Sequence, residues 1–371
     1  MVHVFESCGF EYKVIRPIQL AREEEPVLLA ARKEYFGEKT TLVELRPLHL
    51  TQQNATSVKA RLREELQLSQ HLRHPNIGEV LGFAVDGVHV YRVMEHLVGC
   101  TLETVLDAAA LARRKVSVGF AATAALVVAE ALEHAHQCTD ERGRPLRVVH
   151  RAVSPANIHI SQRGRVHLVN FGSAYSELLE RLRTPEGLLR GDAAYLAPEV
   201  LRSLRGPRKR RGAKGRTAPD RRADIFSLGL VLLGMLTGWH PLDPPDTVEA
   251  DGDTGLPPGL QVEMTPAIPL GPLARRLLHF GPKDVERAAR KLPLRLRQII
   301  AKALQVEPSE RYPSAQAMSE ELRGFMSAER PTHREAEVAE ERAGLIRAAK
   351  KLRENVAYSV TEPGILPVER A

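Results

Sequence analysis

The pattern of apolar and polar positions changes character along the chain. Up to about residue 95, short runs rich in Val, Ile, Leu and Thr at 12–20, 27–32 and 40–45 are separated by charged or glycine-containing turns, which predicts strands. Within this part, 56–72 breaks the rule: Leu62, Leu66, Ser69 and Leu72 fall near one face at helical spacing. Strand-like runs resume at 80–85 and 88–94. After Gly99 the chain turns helical, with candidates at 101–111 and 117–137; the second is apolar round most of its circumference, as a deeply buried helix is. Two short runs, 158–161 and 166–169, are joined by Gln162-Arg163-Gly164-Arg165, a hairpin signal. A second buried helix is predicted at 224–237. Residues 241–272 hold eight prolines and read as an irregular crossing segment. Further helices are predicted at 283–291, 293–305 and 313–327.

The last forty residues differ again. They predict a charged helix in which Val338, Leu345 and Leu352 recur every seven residues. Such a thin stripe suits pairing with another helix, but Arg342 interrupts the companion positions. The sequence favours a helix lying on its own domain and leaves pairing open.

Several short motifs fall in a fixed order on these elements. Val149-His150-Arg151-Ala152-Val153-Ser154-Pro155-Ala156-Asn157 resembles the protein-kinase catalytic loop, and Asn170-Phe171-Gly172 resembles the D-F-G motif directly after a strand. Ala197-Pro198-Glu199 matches A-P-E. Val93-Met94-Glu95-His96-Leu97 resembles the hinge between kinase lobes, and Arg73-His74-Pro75-Asn76-Ile77 the segment after the αC helix. Asp224-Ile225-Phe226-Ser227-Leu228-Gly229 resembles the start of the buried αF helix, and Arg311 the late arginine that pairs with the A-P-E glutamate. The chain is thus similar to the protein kinases, bacterial Ser/Thr type, over roughly 10–328. The resemblance implies an α+β, bilobal, protein-kinase-like fold with a β-rich N-lobe and a mostly helical C-lobe. It divides the chain into an N-lobe ending in a hinge (1–98), a C-lobe (99–330) with a basic insertion at 202–222, and a charged helical tail (331–371).

The departures from the family pattern bear on chemistry. Kinase catalysis is mostly positioning and electrostatic stabilisation, so specific charges must be supplied. The catalytic-loop aspartate position is Ala152, and Ser154 stands where many Ser/Thr kinases carry a lysine. Asn170 replaces the metal-binding aspartate; it is neutral, as is the retained Asn157, and Mg²⁺ ordinarily keeps a carboxylate. No lysine lies between Lys39 and Lys59, so the lysine that grips the nucleotide is missing. Alignment of Val43-Glu44-Leu45-Arg46 on V-A-I-K puts Arg46 there, able to pair with Glu65 on the first helix, and sets Glu44 on the same strand face over the adenine position. The segment 16–26 has no glycine and contains Glu23-Glu24-Glu25 where the family has its phosphate-covering loop. The remnant nucleotide-site positions are therefore Arg46, Glu65, Met94, Glu95, Asn157 and Asn170. The scaffold residues His150, Arg151, Phe171, Gly172, Glu199, Asp224 and Arg311 persist. A catalytically impaired kinase-like protein, acting through protein binding as a scaffold or allosteric regulator, is the leading expectation. No bound cofactor or metal is expected beyond weak ATP/Mg binding, and the partner expected is another signalling protein, an active kinase among the candidates. A weak or unconventional Ser/Thr kinase is the enzyme alternative.

Charge and composition refine this. The chain is 43% hydrophobic and 27% charged, which excludes wholesale disorder. Its net charge of +7 is concentrated: 202–222 holds ten Lys/Arg and one Asp, leaving 43 basic and 45 acidic residues elsewhere. The basic loop, with Arg208, Lys209, Arg210 and Arg211 at its centre, is a candidate docking segment for an acidic protein or anionic surface. It has no aromatic residue, so base stacking with nucleic acid is not indicated. Three scattered cysteines, Cys8, Cys100 and Cys138, suggest neither a disulfide framework nor a zinc site. Apolar runs fall short of the ~18 residues of a membrane span, and the N-terminus lacks the pattern of a secretory leader. A cytoplasmic setting is expected.

Overall fold

The computed structural model describes residues 3–19, 26–35, 37–48, 55–177, 188–205, 220–243, 261–264, 269–329 and 334–361. The basic residues Arg208, Lys209, Arg210 and Arg211 and the Glu23–Glu25 run lie outside the described residues.

Strands β1 (Val4–Ser7), β2 (Phe10–Gln19), β3 (Val27–Glu34) and β4 (Thr40–Leu48) are followed by helix α1 (Ala55–Ser69) and then β5 (Val80–Asp86) and β6 (His89–Glu95). The six strands form one antiparallel sheet in the order β1-β2-β3-β4-β6-β5. Strand alternation sorts its faces. Phe5, Tyr12, Ala30, Val43, Leu45, Ala84, Tyr91 and Val93 form a small core on one side, leaving Glu44, Arg46, Arg92 and Met94 on the other. Strand β1 was not legible in the sequence. It exists because Phe5 stacks on Tyr12 at 5.1 Å and Ser7 Oγ accepts the N–H of Val85 at 2.9 Å, which curls the sheet until its first strand meets β5. On α1 the buried positions are Leu62, Glu65 and Leu68, so Leu68 takes the inward place that spacing assigned to Leu66.

Beyond the hinge come β7 (Gly99–Thr101), α2 (Leu102–Leu111), α3 (Val118–His136), β8 (Ile158–Ser161) and β9 (Val166–Leu168). Helix α3 starts where Ser117 Oγ accepts the N–H of Phe120. Its 19 residues are long and apolar enough to cross a membrane by length and composition, contrary to the expectation from sequence, but most of its side chains are packed inside the C-lobe core. Strand β10 (Leu188–Asp192) precedes α4 (Pro198–Arg205) and the largely buried α5 (Arg222–Thr237), which stops at Gly238 with φ of 83°. Within the proline-rich segment the described residues include regular structure that its composition did not predict. Strand β11 (Gln261–Met264) pairs in parallel with β10, and α6 (Leu270–His279) follows. Helices α7 (Pro282–Ala289), α8 (Leu294–Ala303) and α9 (Ala315–Glu329) complete the lobe.

The tail helix α10 (Glu335–Thr361) lies on this lobe. Val338, Leu345 and Ala349 are buried, the first two within the same core as α3 and α5. Glu341 caps α3 from outside, accepting the N–H of Ser117 at 2.5 Å and its hydroxyl at 2.7 Å. Gly164 in the β8–β9 turn has φ of +85°, and a Cβ there would collide with the backbone of Glu335. That glycine is what lets the helix start so close. The bilobal α+β architecture implied by the resemblance is therefore present.

Candidate functional site

The cleft between the lobes is built from the C-lobe upward. Asp224, at the start of α5, is fully buried and accepts the backbone N–H groups of His150 and Arg151, each at 2.8 Å, with His136 Nε2 at 2.9 Å. Burial alone would raise this carboxyl, but the hydrogen bond and charge of His136, with the neighbouring His150 and the Arg151 N–H, hold it below the usual carboxylate range. The anchored loop places Arg151 at φ of 63°, a conformation non-glycine residues seldom adopt. Its guanidinium donates to the carbonyls of Ser173 at 2.7 Å and Ala174 at 2.9 Å. His150 Nε2 meets the Val169 carbonyl at 3.1 Å, and its ring stands edge-on to Phe171 at 4.5 Å. At the lobe's base Arg311 forks onto Glu199 at 2.8 and 2.7 Å and also donates to the carbonyls of Gln305, Val306 and Arg222. The scaffold positions thus form two buried polar clusters holding the loop and the A-P-E segment.

The positions that face the reacting groups in kinases are occupied differently. Ala152 is buried and presents a methyl group. Asn157 Nδ2 donates to the Ala152 carbonyl at 2.8 Å, and Asn170 Nδ2 donates to Asn157 Oδ1 at 3.0 Å. Asn170 sits in the left-handed region at φ of 68°, which an Asn tolerates. Its own Oδ1 accepts Arg92 Nη1 at 3.1 Å. The side-chain oxygens of both asparagines are thus engaged within the protein, and a guanidinium abuts them. Ser154 is buried beside Asp192 on β10. Burial raises the Asp192 carboxyl, against the opposing pull of the Ala194 N–H, which Asp192 Oδ1 accepts at 3.0 Å. Gly191 before it must be glycine, since a Cβ would run into the Arg151 carbonyl.

The roof corrects one expectation. Arg46 does not pair with Glu65. It donates to Glu44 Oε2 through Nε at 3.2 Å and Nη2 at 3.0 Å, while Glu44 Oε1 meets His96 Nδ1 at 3.2 Å. Glu65 instead forms an ion pair with Arg92 Nε at 3.1 Å. Arg46 and Arg92 are directly opposed on β4 and β6, so both project toward the cleft. Glu44, two residues away on the same face, captures the nearer arginine and leaves Glu65 to its neighbour. Glu44 does share the face of Arg46, as alternation predicts, and Met94 is its buried cross-strand partner. Glu95 is exposed on the hinge and donates its N–H to the Glu79 carbonyl at 3.0 Å. Behind α1, a cavity of about 10 Å³ beside Glu65, Ile77 and Phe171 is all but filled. Among the described residues, no group of His, Cys, Asp and Glu is arranged to hold a metal.

Comparison with known proteins joins this geometry to a family. The protein kinase domain model matches residues 46–322. The chain belongs to the protein kinase family. This kinase domain is 32% identical over 292 residues to the tyrosine-protein kinase MasK of Myxococcus xanthus, covering 78% of this chain and 39% of that protein. It is 25% identical over 299 residues to the serine/threonine-protein kinase PrkC of Bacillus subtilis, covering 80% and 39%. With an Aurora kinase of Dictyostelium discoideum it shares 28% identity over 234 residues, 63% of this chain and 52% of that one. The chain spans about two fifths of the length of the first two. In the kinase frame, Arg92 is a cleft position in contact with Glu65 and Asn170 that sequence reasoning missed. The signal was an arginine at an inward-alternating place in the otherwise apolar run 90–94.

Proposed function

We propose that this kinase domain is catalytically impaired and acts by binding another signalling protein rather than by transferring phosphate. The observation that supports this most is the chain of contacts from Arg92 to Asn170, from Asn170 to Asn157, and from Asn157 to the Ala152 carbonyl. The residues present do not fit a magnesium site: both amide oxygens are engaged, neither brings negative charge, and a cation lies against them. The methyl of Ala152 can neither orient a hydroxyl nor take its proton. Glu44 and its arginine and histidine partners stand where the adenine would be sandwiched. The scaffold clusters around Asp224 and Arg311 support a domain kept for its shape, with the basic loop as the proposed docking segment.

The test is phosphoryl transfer from ATP by the purified chain, to itself and to a generic protein acceptor, with Mg²⁺ and with Mn²⁺, together with melting in millimolar Mg-ATP. No transfer is expected, and no rise in Tm; ligand at 100 times its Kd would add about 2.7 kcal/mol of stability. Robust metal-dependent transfer would overturn the proposal. One observation favours a second reading, a weak protein kinase: β10 packs its Gly191 against the backbone of Arg151 and Ala152, which brings the carboxylate of Asp192 close to the catalytic loop. If residual transfer is found and Asp192→Asn abolishes it, that reading gains.

A further inference from the structure

The geometry points to Arg92 as a positioning residue, a permanent tether that holds α1 and the Asn170-Phe171-Gly172 turn onto the sheet without nucleotide or metal. The inference deepens the proposal above and rests on it in one respect, that the cleft is assembled by its own side chains. Arg92 comes from β6, Glu65 from α1 and Asn170 from the turn after β9, so one guanidinium joins three elements that lie apart in the sequence. Its Nε lies 3.1 Å from Glu65 Oε2 and its Nη1 donates to Asn170 Oδ1 at 3.1 Å. The side chain of Glu65 is 4% exposed and that of Arg92 20%, so water scarcely screens the pair. Gly172 completes the fit: a Cβ there would stand 3.0 Å from Arg92 Nη2 and 3.3 Å from both Glu65 oxygens. A larger residue in the turn would press on the bridge.

An arginine suits this role because its donors are spread over a rigid fork, which can face two acceptors at once; a lysine presents one ammonium. The neighbouring Arg46 is not a competitor, because Glu44 holds it through two nitrogens. The bridge is therefore specific to one of two adjacent arginines.

Hydrogen exchange on the full chain, without nucleotide, tests this with four variants. In Arg92→Gln the amides of 60–69 and of 170–174 should exchange at least tenfold faster, while those of α3 and α5 are unchanged. In Arg92→Lys an ammonium still reaches Glu65 but loses the second arm. Protection of 60–69 should then persist while 170–174 loosens. Glu65→Gln should loosen 60–69, and the effects of Arg92→Gln and Glu65→Gln on 60–69 should sum to more than the pair shows, because the contact between them is lost in either single variant. Unchanged exchange in Arg92→Gln, additive effects in the pair, or equal loss at both segments in Arg92→Lys would overturn the tether. Should Arg92→Gln fail to fold, Arg92→Lys and Glu65→Gln decide on the same segments. These readouts are independent of phosphoryl transfer, so failure of the tether and failure of the proposed inactivity are told apart.

Discussion

Ala152 and Asn170 are the two places where a single carboxylate would restore the family pattern, and the structure says what restoring them would achieve. The Ala152→Asp/Asn170→Asp variant should fold and still transfer no phosphate. A carboxylate at position 170 would meet Arg92 Nη1, whose present acceptor is 3.1 Å away, and would make a charge-assisted bond with it rather than wait for a metal. Positioning supplies much of the rate in this chemistry, and the roof of Glu44, Arg46 and His96 is unchanged by the two substitutions. The measurement is Mg²⁺-dependent transfer beside a melting curve; gain of activity would mean that the cleft can still seat ATP. Both substituted positions were legible in the sequence because short motifs fix their spacing. Arg92 was not. Which of two opposed arginines reaches Glu65 depends on the register of β4 against β6 and on capture of Arg46 by Glu44, and neither is written locally.

At the scale of elements, the strongly periodic segments were legible and the compensated ones were not. Helices α3, α5, α8 and α9 follow their apolar patterns to within a few residues. Strand β1 and strand β11 are only four residues each and depend on partners far along the chain, Val85 for one, beside its nearby stack on Tyr12, and β10 for the other. Proline density hid the second. The tail helix shows how a pattern can be read two ways until packing decides. Its seven-residue stripe spends Val338 and Leu345 on its own lobe, leaving Leu352 41% exposed. Replacing Leu345 by Ala should cost about 2–5 kcal/mol, the usual range for a buried leucine. It should also speed exchange at the start of α3, since Glu341 on the same helix caps Ser117 there. Leu352→Asp, by contrast, should leave both Tm and sedimentation mass unaltered. A drop in mass with Leu352→Asp would show that the stripe pairs chains after all.

On the scale of the whole molecule, acid should reveal how the C-lobe is assembled. Burial biases several of its histidines, His134 and His150 among them, toward the neutral form, and three of them strongly. Burial pushes His159 down to about 4, helped by His167, Arg46, His96 and Arg342; burial pushes His167 to about 4, helped by Arg165; and burial pushes His240, at the end of α5, to about 4. An unfolded histidine titrates near 6.5. Between about pH 6.5 and 4 the unfolded chain therefore binds protons that the folded chain refuses, so these groups make stability fall as pH falls through that window. The carboxyls of Glu64, Glu103, Asp107 and Asp192 are raised, chiefly by partial desolvation, and act in the opposite sense: their protonation on acidification relieves a cost in the folded state. The net slope mixes the two, so the histidine share must be taken as a difference between proteins. Stability of the wild type, His159→Gln and His240→Gln should be followed by denaturant unfolding from pH 7.5 to 4. Each substitution should flatten the decline relative to wild type within the 6.5–4 window and leave the slope above pH 7 unchanged. His159→Gln acts beneath α10 and the hinge, His240→Gln beside Tyr195 on the activation-segment side. Parallel curves for all three proteins would mean that these rings are protonated in the folded state and that the lobe is looser around them than its packing implies.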